Sequence, residues 1–263
     1  MKTTLIKTSL VAAVVAGLGS VPGFAADLPQ RLRTKAPVVA PVYDWTGFYI
    51  GGHVGGGWGQ SDWTFQNESF FNDDPGDHLN FNPSGWLGGG HVGFNYQINR
   101  LVIGIEGTWS AADIKHTVTS PFFPASDRET TRITSLYTVA GRVGTAWDQF
   151  LIYGKGGLAG GQVEPSAVAT VATIEGFEGG QFFWKPGKSH RSGWVIGAGV
   201  EYMLVSNVMI GVEYNHIDLG TANYTARDNS PESLIASVDD RTRIDSVVGR
   251  ISYKFGAPAG ARY

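Results

Sequence analysis

Residues 45–59 read WTGFYIGGHVGGGWG, and seven of these fifteen positions are glycine. Glycine weakens helices and strands alike because it leaves nothing to pack. The rest of the stretch is nonetheless aromatic and β-branched, which is strand composition. At alternate positions it separates into two faces: Phe48, Ile50, Val54 and Trp58 on one, Tyr49, Gly51, His53, Gly55 and Gly57 on the other. A strand that is bulky and apolar on one side and low on the other calls for an apolar medium outside and a crowded interior. His53 is the ionisable group on the low side.

The same period of two recurs in seven further segments. Trp86, Val92, Phe94 and Tyr96 oppose Gly85, Gly89, His91 and Gly93. Leu101, Ile103, Ile105 and Trp109 oppose Gly104, Glu106 and Thr108; Tyr137, Val139, Val143 and Trp147 oppose Thr138, Ala140, Arg142 and Gly144. Phe150, Ile152 and Leu158 face away from Tyr153, Lys155 and Gly157; Trp194, Ile196, Val200 and Tyr202 face away from Gly197, Gly199 and Glu201. Val208, Ile210, Val212 and Tyr214 oppose Gly211, Glu213 and Asn215, and Val247, Ile251, Tyr253 and Phe255 oppose Ser246, Arg250 and Ser252. Eight strands result.

Their connections alternate in length. Gln97 to Arg100, Asp148-Gln149 and Val205 to Asn207 are tight turns, whereas the other four connections are polar stretches expected to be long loops, far above ordinary hairpin length. An even number of strands with short turns at one end and long loops at the other is the organisation of a closed, eight-stranded, antiparallel, up-and-down transmembrane β-barrel, an all-β fold. Aromatics on the apolar face support this, being ten residues apart in Phe48/Trp58, Trp86/Tyr96 and Tyr137/Trp147. Ten residues at ~3.3 Å rise and ~40° tilt project to about 25 Å, the height of an outer-membrane apolar band. With Trp109, Trp194, Tyr202, Tyr214, Tyr253 and Phe255 they form the expected aromatic girdles. A soluble sandwich or lipocalin-like barrel would instead turn the Gly/Ser/Thr face outward with about one charge per strand, too few for a water-facing surface.

Composition and the ends of the chain agree. The 263 residues are 42% hydrophobic, 12% aromatic and only 16% charged, so the chain is neither disordered nor an ordinary soluble domain. Lys2 and Lys7 precede the apolar run LVAAVVAGL, and Gly23-Phe24-Ala25 offers small residues for cleavage, so residues 1–25 are read as a signal peptide. The run is too short to span a bilayer as a helix. Residues 26–43, with three prolines and no period, form a flexible periplasmic leader; 44–255 is the barrel and 256–263 a C-terminal extension. Loss of residues 1–25 removes two lysines and no acid, making the chain more acidic than its overall −3, which excludes a nucleic-acid partner. With no cysteine, no disulfide holds the exported fold.

Each strand also sends one ionisable residue inward at a similar distance from its short-turn end: His53, His91, Glu106, Arg142, Lys155, Glu201, Glu213 and Arg250. An eight-stranded barrel is just wide enough for side chains to fill. Three acids and three bases in that space must pair, because an isolated buried ion is very costly. A lumen plugged by Glu–Arg and Glu–Lys pairs is therefore expected.

The final segment VVGRISYKF (247–255) is similar to the C-terminal strand that barrel-assembly machinery recognises. Together with WTGFYIGG, RVGTAW, LIYGKGGLAGG and the ADLP after the signal peptide, it resembles the small eight-stranded outer-membrane β-barrel proteins of Gram-negative alphaproteobacteria, the outer membrane protein beta-barrel domain. That resemblance covers residues 44–255. The family usually stops at the aromatic, whereas GAPAGARY follows Phe255 here, so either Phe255 or Tyr263 is the recognised end.

The resemblance implies residence in the outer membrane, a structural and surface-interaction role in envelope integrity, and partners among outer-membrane lipid, lipopolysaccharide, host surfaces and phage. A monomer is expected. The alternative function is a narrow porin-like channel or an uptake protein for a ligand such as haem.

Other motifs carry less. The glycine run GKGGLAGG (154–161) lacks phosphate-loop spacing. His78, His116, His190 and His216, expected in or near the long loops, match no metal template, and Asp73, Asp74 and Asp77 read as a solvated acidic loop. Ser189-His190 and His216/Asp218 are fragments of a hydrolase constellation, not a triad. No enzymatic activity, cofactor or metal is expected.

Overall fold

The computed structural model describes residues 43–66, 76, 78–119, 128–171, 180–184, 188–227 and 235–256. The expected signal peptide, the leader up to residue 42 and residues 257–263 lie outside the described residues, as do Asp73, Asp74 and Asp77.

The strands are β1 (Gly47–Phe65), β2 (His78–Phe81), β3 (Ser84–Ile98), β4 (Leu101–Thr119), β5 (Arg128–Trp147), β6 (Phe150–Val171), β7 (Gly180–Trp184), β8 (Ser189–Val205), β9 (Val208–Arg227) and β10 (Ile235–Lys254). Eight of them, all but β2 and β7, pair antiparallel in chain order, and β10 returns to β1 from Tyr49↔Lys254 up to Phe65↔Val238. The closed barrel therefore has no edge in the membrane, the condition for a sheet in hydrocarbon. The short β2 and β7 extend β1 and β6.

At the short-turn end β3–β4 and β5–β6 reverse through two residues each, and Asn99 (φ 57°) and Asp148 (φ 50°) take the left-handed conformation that Asn and Asp tolerate. At the other end the outcome differs from the sequence expectation. Much of what the sequence leaves as long loop is paired strand: past one bulge each, β4–β5 stays paired to Thr119↔Arg128 and β9–β10 to Arg227↔Ile235. The histidines expected in or near the loops lie on strands: His78 on β2, His116 on β4, His190 on β8 and His216 on β9. The signal failed there because beyond the membrane the outer face of each strand meets water and turns polar, so apolar alternation loses its outward half while the inner face stays buried and the hydrogen-bond ladder continues. Bulges at Ala111/Ile114, Ile133/Ser135 and Arg241/Arg243 lie near this change, as bulges do at barrel rims.

The lumen is layered. A periplasmic apolar layer holds Trp45, Tyr49, Val102, Leu151, Tyr153, Met203 and Met209. The ionisable residues follow, and beyond them a second apolar layer includes Leu87, Ile114, Ile133, Leu136, Ile217 and Ile244. Trp45 caps the mouth from the segment before β1 and is fully buried. Its N–H donates to Gln97 Oε1 at 2.8 Å and its indole N–H to the Asp148 carbonyl at 3.3 Å. Lys254 Nζ donates to the carbonyls of Asp44 (2.5 Å) and Thr46 (3.3 Å), tying this segment to the last strand.

Two outcomes follow from closure and capping. The unboiled protein migrates faster than the boiled protein on a detergent gel, and equal mobility would refute the closed barrel. Trp45→Ala retains the fast-migrating form but loses about 3–5 kcal/mol of stability, the usual cost of truncating a buried Trp, measured by urea unfolding in micelles.

Candidate functional site

Phe48, Trp58, Trp86, Tyr96, Trp109, Tyr137, Trp147, Trp194, Tyr214, Tyr253 and Phe255 are exposed on the outer face, and Tyr202 is half-buried there. Between them lie exposed Ile50, Val54, Val92, Ile105, Val139, Ile196, Val212 and Ile251. Such an apolar wall is far beyond the patches a water-soluble monomer exposes.

Inside, strand pleating turns Glu106, Arg142, Lys155, Glu201, Glu213 and Arg250 into one space, where each side chain is 4% exposed or less. Arg250 is the hub. Its Nη1 and Nη2 donate to Glu213 and Glu106, and its Nε stands 3.2 Å from Glu201 Oε1. Arg142 donates to Glu201 Oε2 at 2.9 Å and to Glu106 Oε2 at 3.2 Å. Lys155 Nζ donates to Glu213 Oε1 at 2.7 Å and stands 3.6 Å from Glu106 Oε1. Three carboxylates and three cations thus share one charge-balanced network, in which low dielectric strengthens each pair.

Two phenols complete it. Tyr49 donates to Glu106 Oε2 at 2.9 Å and accepts from Arg142 at 2.8 Å; Tyr153 donates to Glu213 Oε2 at 2.5 Å and accepts from Arg250 at 3.0 Å. The Arg142 guanidinium lies 3.8 Å from the Tyr153 ring centre, a cation–π contact. Glycine makes room for these rings. A Cβ on Gly93 would collide with the Tyr49 phenol, and one on Gly51 with the His91 ring.

The histidines stand apart from the ion pairs. His53 and His91 approach through their Nδ1 atoms at 3.3 Å, and their Nε2 atoms reach Ser110 Oγ and Ser252 Oγ, each at 2.7 Å. All eight ionisable residues therefore face the lumen, six in the charged network and two in a hydrogen-bonded chain beside it. A cavity of about 30 Å³, lined by both histidines, Lys155, Glu213 and Arg250, lies between them.

Sequence reasoning put Tyr49 and Tyr153 on the inner face but gave them no role; their parity with His53 and Lys155 was the available signal. It missed a second buried pair nearer the extracellular end. Arg191 donates to Asp240 Oδ2 (2.5 Å), Thr242 Oγ1 (2.7 Å) and Tyr224 Oη (2.6 Å), and Ser61 donates to Asp240 Oδ1 (2.7 Å). Asp240 and Thr242 lie in the part of β10 where apolar alternation gives no strand signal. The hydrolase fragments do not assemble: His216 engages Asp245 at 2.8 Å, not Asp218, and Ser189 and His190, adjacent on a strand, point to opposite faces.

An apolar outer wall, aromatic residues at both rims and a paired polar interior define an outer-membrane β-barrel. The chain belongs to the outer membrane protein beta-barrel domain family, which it matches over residues 11–255. It is 29% identical to the 31 kDa outer-membrane immunogenic protein of Brucella melitensis over 94% of this chain and 99% of that one. It is 26% identical to the 22 kDa outer membrane protein of Rhizobium leguminosarum bv. viciae over 72% of this chain and 71% of that one. Among solved structures it is similar to the outer membrane protein OprG of Pseudomonas aeruginosa, with TM-score 0.46 and 11% identity over 82% of this chain and 99% of that one. The protein is an outer-membrane β-barrel of this alphaproteobacterial family.

Removing one cation tests the network. Arg250→Met leaves three carboxylates facing two cations and lowers stability by about 3–5 kcal/mol, the range for breaking a buried pair. Adding Glu106→Gln restores the balance, so the double variant loses less than the sum of the single losses in urea unfolding. Strict additivity would show that the charges act independently.

Proposed function

We propose that this barrel is a sealed structural component of the envelope that presents its extracellular walls to lipopolysaccharide, host surfaces or phage and does not serve as a channel. The observation that carries this reading is the filled lumen. Among the described residues, the cavity beside the charged network offers about 30 Å³, room for a few waters and no more. Apolar layers and the Trp45 cap lie on either side of it. A hydrated ion moving through would have to separate Arg250 from its carboxylates and part the ring around Leu136 and Ile244. A porin-like or haem-uptake role would require a continuous path, and the layers oppose one.

The protein works as a monomer in this reading, since β10 closes on β1 and leaves no strand edge within the membrane. Barrel-assembly machinery takes Phe255 as the end of the signal. The Phe255 N–H donates to the Phe48 carbonyl at 2.7 Å, completing the closing ladder. No catalytic role is proposed.

Planar-bilayer recording tests the seal: the purified protein gives no stable single-channel steps, and large, reproducible steps would overturn the reading. A deletion strain becomes more sensitive to detergent, and the wild-type gene restores resistance.

A further inference from the structure

Beyond the aromatic girdle the outer face of the β2–β1–β10–β9 wall carries a polar groove of about 580 Å³, within the range of small-molecule sites. Its floor is two cross-strand rows. Asn80, Asp62 and Arg241 stand side by side in one, His78, Thr64 and Asp239 in the next, with Arg243 below. Their neighbours along each strand, Ser61, Trp63, Asp240 and Thr242, are buried on the lumen side, which assigns the groove to the outside of the barrel.

The side chains are held before any ligand arrives. Asp239 accepts from Gln66 Nε2 and Asn223 Nδ2, each at 2.9 Å. Arg241 donates to Asp218 Oδ2 at 2.8 Å, and Arg243 lies 4.0 Å from Asp62. They remain open to ligand, with the Arg241 side chain 49% and the Asp62 side chain 40% exposed.

Charge and height choose the ligand. Two guanidiniums face two groove carboxylates, and Asp218 lies beneath them, so the groove has no excess positive charge to hold a bare phosphate. Fixed donors beside fixed acceptors suit adjacent hydroxyl groups, which donate to a carboxylate and accept from a guanidinium. Asp62 and Thr64 lie four and six residues beyond Trp58. At ~3.3 Å per residue and ~40° tilt they stand about 10–15 Å above the girdle, beyond the lipid phosphates that border the hydrocarbon. On the reading that the protein sits in a lipopolysaccharide leaflet, that height is the sugar layer. We infer that this groove binds the saccharide head of an outer-leaflet glycolipid through its hydroxyl groups, anchoring the extracellular wall to the leaflet around it.

The probe is the core oligosaccharide of rough lipopolysaccharide, freed of lipid A and titrated calorimetrically into the barrel in micelles. It binds, and the affinity does not fall between roughly 0.1 and 0.5 M NaCl, because two guanidiniums among three carboxylates offer no net positive charge whose attraction salt would screen. Asp239→Asn and Arg241→Gln each weaken binding about tenfold or more, equivalent to about 1.4 kcal/mol. Arg132→Gln, on the outer face of β5, does not. Fast gel mobility of every variant shows that the barrels are folded. Absence of binding, binding indifferent to both groove variants, or capture only of lipid A or inorganic phosphate with loss in salt would each overturn the assignment. A non-conducting, detergent-protective barrel that ignores the sugar refutes the groove alone, whereas a conducting barrel that binds it refutes only the seal.

Discussion

Every backbone N–H and C=O within the hydrocarbon must find its partner in the protein, because no water is there to supply one. The ladder from β10 back to β1 satisfies that requirement, and much else follows from it. Closing eight strands makes an interior just wide enough for side chains to fill, so the inner face is packed largely by its own side chains. That in turn demands low positions opposite large ones. Gly93 lies under the Tyr49 phenol and Gly51 under the His91 ring. The low strand propensity of these glycines is tolerable because closure, not local preference, sets the strand.

The charged network is the second consequence. Burying six charges gives little net stability over a well-packed apolar core, since desolvation offsets much of the attraction. Its effect on register is larger. A slip of one residue in β10 would send Arg250 into the lipid and Ile251 into the lumen, reversing every side chain of the strand. With Arg142 stacked on Tyr153 and all three carboxylates reaching Arg250, the pairing admits few alternatives. Apolar layers on either side keep bulk water away and strengthen the ion pairs.

Above the girdle the rules change although the ladder does not. The inner face keeps a buried core, down to the Arg191–Asp240 pair, while the outer face turns from Val, Ile and Trp to Asp, Arg, Asn and His. The walls thus carry the barrel's hydrogen bonding beyond the apolar band, where polar side chains on a rigid sheet can be placed against a ligand.

The order of faces, the eight barrel strands and the inward ionisable residues were legible in the sequence, whereas the short β2 and β7 were not. In the membrane, solvent chemistry imposes a period of two that any reader of Phe48, Ile50, Val54 and Trp58 can follow. Which acid meets which base was not legible. Glu106 and Arg250 are 144 residues apart and meet only because the barrel closes. The capping role of Trp45, the Arg191–Asp240 pair and the groove at Asp62 and Arg241 also required tertiary structure. Outside the hydrocarbon no single medium dictates the pattern, and side-chain roles there come from strand register and closure. Local sequence determined the faces of each strand; closure of the barrel decided what those faces touch.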